Sequence, residues 1–123
     1  MKRRPINLDL RTIHFPVTAW VSVLHRASGA FVFLVIPVIL WMLQESLASE
    51  QRYITLFERL QHPLIKVMLW IFLSALLYHS IAGVRHILMD FHIGESKKEA
   101  RAGAWVVLTL VGISFLILGY WLW

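Results

Sequence analysis

With 123 residues, 59% of them hydrophobic and only 15% charged, the chain is well above the ~45–50% apolar content of soluble domains, which marks it as a membrane protein. It contains no cysteine, so disulfides, thiolate metal sites and cysteine nucleophiles are excluded. The net charge of +5 sits on basic residues gathered at particular ends of apolar runs, a distribution that reports topology and not nucleic-acid binding.

Residues 1–15 form a polar, basic arm that opens with Lys2, Arg3 and Arg4 and contains the apolar alternation INLDL. This arm reads as a docking strand or coil. So polar a start does not suit a short secretory leader, and no cleaved signal is expected. Pro16 suits the first turn of a helix, where its missing N–H costs nothing. A first apolar helix is expected over residues 17–47; at ~46 Å it exceeds the ~30 Å hydrocarbon core, so its first turns lie at the cytoplasmic headgroups. In those turns Ser22, His25, Arg26 and Gly29 recur at i, i+3, i+4 and i+7, a polar and small stripe of the kind that faces protein or ligand. Ser28 lies two positions round from Arg26 and is expected to face elsewhere. Simpler roles stay open: Arg26 can snorkel to lipid phosphates, and Ser22 can bond back to a carbonyl one turn earlier. Pro37, inside the apolar run, is expected to kink the helix.

Residues 48–63 make the external connection, where Ile54, Phe57 and Leu60 point to a short amphipathic helix lying on the membrane. A second apolar helix is expected over 64–90, after Pro63. His79, Gly83 and His86 follow i, i+4 and i+7 on its one face, and a glycine between two histidines lets a large flat ligand approach the backbone. His79 lies ~16 Å from the cytoplasmic end, near the bilayer middle, with Arg85, His86 and Asp90 at the boundary. The third apolar helix, over 103–123, carries only Thr109 and Ser114 as polar interruptions and reads as anchorage. Uncharged runs of 18, 18 and 22 residues approach the ~20 needed to cross a bilayer. The reading is therefore an all-α, single-domain protein with three transmembrane helices. Basic residues before the first helix and around the second connection put the N-terminus in the cytoplasm and the C-terminus on the periplasmic side. Six tryptophans fall toward the two interfaces, as aromatic belts do.

An ionisable residue deep in an apolar run is a functional candidate by default, and His79 is the deep one here. A neutral imidazole in an apolar setting suits the axial position of haem iron, and Arg26, His25, Arg85 or His86 can meet haem propionates nearer water. No other histidine lies deep in an apolar run, so a two-histidine haem needs a second chain. A plainer alternative gives His79 hydrogen bonds to Ser74, Ser80 or a neighbouring carbonyl. Ser22 and Arg26 suit the carbonyl oxygens of a quinone whose tail stays in lipid. Asp90 reads as a proton relay or as an ion pair with Arg85. Two further classes stay open: a small proton or ion conductor with His79 as relay, and a purely structural anchor.

The segment RPINLDLRTIHFPVTAWVSVLHRASG, with YHSIAGVRHILMDF in the second helix, resembles the cytochrome b (b556-type) membrane anchor of bacterial succinate dehydrogenase, respiratory complex II. The resemblance covers essentially the whole chain. It implies that His79 is the axial ligand of a haem b whose other histidine comes from a smaller three-helix anchor subunit. It also implies that Ser22 and Arg26 line a ubiquinone site, and that His25 and Arg26 lie near the haem propionates. An iron–sulfur subunit would dock above them and a flavoprotein subunit beyond it would oxidise succinate, placing the chain in the bacterial inner membrane. The anchor of a fumarate reductase, working in the reverse direction, is the related alternative.

Overall fold

A computed structural model describes residues 15–123, and the expected arm lies, up to residue 14, outside the described residues. Four helices follow in order: α1 Val17–Ala48, α2 Glu50–Leu60, α3 Pro63–Asp90 and α4 Lys97–Leu122. Three of them, α1, α3 and α4, are long and apolar enough to cross a membrane.

Local chemistry sets most of the boundaries. Pro16 stands just ahead of α1, and its carbonyl accepts from the N–H groups of Ala19 and Trp20. Pro37 lies within α1, which continues through it as one helix; the carbonyl that the ring leaves without a backbone donor is that of Phe33. Ser49 alone separates α1 from α2, in extended conformation, and its hydroxyl accepts from Arg52 N–H at 3.2 Å. Glu50 in the first turn and Arg59 in the last complement the α2 dipole. An exposed Arg52–Glu45 pair at 3.2 Å ties α2 back to α1, a contact worth ~0.2–1 kcal/mol. His62 accepts from Leu64 N–H at 3.3 Å and Pro63 takes the first helical position of α3.

The third long helix begins at Lys97, six residues ahead of the start expected from hydropathy. A capping box explains the difference: Ser96 and Glu99 satisfy each other's backbone donors. Between α3 and α4 the chain reverses through His92 and Gly94, both at positive φ, and Ile93 N–H reaches Leu88 carbonyl at 3.0 Å.

The three long helices touch pairwise, and α2 rests against α1 and α3. Between α1 and α2 the groove is lined by Met42, Leu43, Tyr53, Leu56 and Phe57, so the apolar face of α2 includes Leu56 beside the expected Phe57 and Leu60. The core is small: among the described residues Val21, Tyr78, Ala82, Ala104 and Val107 are the buried hydrophobic ones. Alanines and glycines where helices meet let their backbones approach, the usual solution where lipid removes the hydrophobic drive for association.

At the other end of the bundle Trp70 binds α3 to α4. Its indole Nε1–H donates to Phe115 carbonyl at 2.9 Å and its ring stacks on Phe115 at 4.1 Å. Gly119 makes room for the ring, because a Cβ there would lie 3.2 Å from Trp70 Cζ2, whereas a Cβ on Gly112 would meet open space. Gly119→Val should therefore lower stability by about 1–3 kcal/mol, and Gly112→Val should stay within about 0.5 kcal/mol. Thermal unfolding in detergent distinguishes them, and equal melting temperatures would argue against the Trp70 contact.

Candidate functional site

Polar side chains concentrate where α1 meets α3 in the half of the bundle nearer residue 17. Tyr78 hydroxyl donates to Val21 carbonyl at 2.8 Å. The next residue, His79, places Nδ1 3.1 Å from His25 carbonyl. A carbonyl only accepts, so Nδ1 must carry the ring proton, and in the neutral imidazole Nε2 keeps its lone pair.

Two glycines create the space for this arrangement. A Cβ on Gly29 would sit 2.7 Å from His79 Cε1, so only glycine admits that ring. Across the interface, a Cβ on Gly83 would sit 3.3 Å from His25 Nε2. Each histidine thus occupies the notch left by the other helix's glycine. His25 stacks on His79 with ring centroids 4.3 Å apart and planes 6° apart, and it meets His86 at 4.9 Å. His79, Gly83 and His86 do share one face, as their spacing requires, and on that face Gly83 lies against the His25 ring.

Stacking brings the faces of the two rings together. Among the described residues, no group of three histidine or acidic side chains is placed to hold a metal ion. His25 Nε2 and His86 Nε2 are buried without a hydrogen-bond partner, as is Ser74 hydroxyl. Leaving such a group unsatisfied costs about 1–3 kcal/mol, so two imidazole nitrogens here call for a polar partner beyond the described residues.

The other expected site residues are distributed differently. Ser22 is half-buried and Arg26 exposed, one turn apart at the edge of the contact. Arg85 turns away from the histidines: it is buried, its guanidinium donates to Ala100 carbonyl at 3.0 Å, and it lies against Gly103 of α4. It makes no ion pair with Asp90, which is exposed; five residues apart on one helix, the two point to nearly opposite sides. Ser80 bonds back to Leu76 within its own helix, so of the plainer partners for His79 only the neighbouring carbonyl is used. Ser28, expected to face elsewhere, instead lies at the site, with its hydroxyl 2.9 Å from His25 carbonyl and 3.3 Å from His79 Nδ1.

The profile of the family described as succinate dehydrogenase/fumarate reductase transmembrane subunit matches residues 1–118. A succinate dehydrogenase cytochrome b556 subunit of Coxiella burnetii is 40% identical over 122 residues, covering 98% of each chain. One from Rickettsia typhi is 31% identical over 86% of this chain and 82% of its own. A succinate dehydrogenase 2 membrane subunit of Mycobacterium tuberculosis is 30% identical, over 80% of this chain and 69% of its own.

Gly29→Ala should displace His79 and lower stability by about 1–3 kcal/mol; Gly83→Ala, with its longer approach to His25, should cost less. Thermal melts of both variants against the parent check this, and an unperturbed Gly29→Ala would remove His79 from its notch.

Proposed function

The chain belongs to the succinate dehydrogenase/fumarate reductase transmembrane subunit family, and from that footing we propose that it is the haem b-carrying, ubiquinone-binding anchor of a succinate:quinone oxidoreductase. It performs no succinate oxidation itself. Its names in the relatives, cytochrome b556 subunits of succinate dehydrogenase, favour that direction over fumarate reduction.

The observation that carries the reading is the contact of His79 Nδ1 with the His25 carbonyl at 3.1 Å. An axial histidine characteristically donates its second ring N–H to a carbonyl, which orients the ring and strengthens the other nitrogen as a donor. The His25 carbonyl is placed to take that role, and His79 Nε2 would then hold the haem iron. Haem bound there supplies a one-electron store beside the route to quinone. His25 and His86, with their buried unpartnered Nε2 atoms, and Arg26 at the edge of the contact hold the propionates. Arg85, engaged with Ala100, joins α3 to α4 and is not assigned to them.

Ser22 and Arg26 donate hydrogen bonds to the carbonyl oxygens of ubiquinone, holding the ring at the boundary while its tail remains in lipid. The guanidinium stabilises negative charge as the quinone is reduced. The N-terminus is cytoplasmic and the C-terminus periplasmic in a bacterial inner membrane. On the cytoplasmic side an iron–sulfur subunit docks over these residues, with the flavoprotein beyond it. A second small three-helix anchor supplies the other haem histidine against the outward faces of the bundle, which expose Phe33, Leu34 and Val38 among many apolar side chains.

His79→Leu should abolish or shift the b-type band in a reduced-minus-oxidised spectrum of the purified complex; an unchanged band would move the ligand elsewhere. Arg26→Leu should lower succinate:quinone reductase activity roughly tenfold or more, the loss of a charged hydrogen bond, while succinate oxidation with an artificial acceptor is kept. Equal loss of both activities would make Arg26 an assembly residue.

A further inference from the structure

We propose that Ser28 is a positioning residue for His79, setting the electron donation of its Nε2; this rests on the reading of His79 as a haem ligand. Ser28 has one hydroxyl proton, and at 2.9 Å the His25 carbonyl takes it. Toward Nδ1, 3.3 Å away, the oxygen can then only accept. The N–H of His79 is therefore shared between two acceptors, the His25 carbonyl and Ser28 Oγ. If Ser28 donated to Nδ1 instead, Nε2 would carry the proton and lose its lone pair. The commitment of the hydroxyl to the carbonyl closes that alternative.

The two effects of the hydroxyl on His79 oppose each other, and their sizes decide the sign. As an acceptor it draws on Nδ1–H and makes Nε2 a stronger donor, favouring the oxidised iron. As a donor it loads the His25 carbonyl and weakens that oxygen as an acceptor for His79. The second effect only weakens a bond that stays in place, and so is smaller than the loss of an acceptor outright. Removing the hydroxyl should therefore raise the haem potential.

The test is a redox titration with low-temperature EPR of haem b in the assembled, purified complex, comparing Ser28→Ala and Ser28→Thr with the parent. Ser28→Ala should shift the oxidised-to-reduced preference about threefold toward the reduced form, near half of one ordinary hydrogen bond, and should release haem faster to an apo-globin acceptor. Ser28→Thr, which keeps the hydroxyl, should titrate like the parent. A parental potential and parental EPR spectrum for Ser28→Ala would overturn the proposal, as would Ser28→Thr shifted as far as Ser28→Ala, which would make the effect one of volume. A parent complex that assembles without any b-type spectrum would instead overturn the haem reading of His79, and this proposal with it.

Discussion

Two adjacent side chains of α3, Tyr78 and His79, bond two carbonyls of α1 that lie one turn apart, those of Val21 and His25. Few contacts constrain a helix pair so fully: sliding or rotating α3 by one residue breaks both bonds at once. Interhelical hydrogen bonds in a bilayer average only about 0.6 kcal/mol, so the pair contributes modest affinity. Its effect is on register. Everything at the site follows from that register, including the depth of His79 and the ring nitrogen that carries the proton.

The same register brings two glycines opposite two histidines. Gly29 receives His79 and Gly83 receives His25, so the polar cluster is enclosed by backbone and not by bulky side chains. At the same level the small core of Val21, Ala82, Ala104 and Val107 joins α4, while Trp70 and Gly119 close the opposite end. Arg85 adds a third fastening through Ala100. The rest of the apolar surface faces outward, as expected of helices whose remaining neighbours are lipid or other polypeptides.

The long helices were legible because hydropathy depends on composition alone, and α2 because its apolar residues recur on one side. The start of α4 was not, since the reciprocal Ser96–Glu99 cap outweighs the charged residues Lys97, Lys98 and Arg101 that made the segment look like loop. Within α1, the polar stripe of Ser22, His25, Arg26 and Gly29 shares His25 and Gly29 with the contact to α3. The face toward α3 runs through Val21, His25, Ser28 and Gly29, at i, i+4, i+7 and i+8. A search for polar residues passes over Val21, whose carbonyl makes the contact. Bonds from side chain to main chain leave no residue-type signature, which also hid the turn of Arg85 toward α4.

The His79 ring, wedged at one edge by Gly29 and tied at Nδ1, has little freedom to shift. Were a charge to change beside it, a ring already set in place would contribute almost nothing to the rearrangement. The Gly29 notch therefore bears on motion as well as on fit: the missing side chain at that position is what lets the His79 ring be held in one orientation.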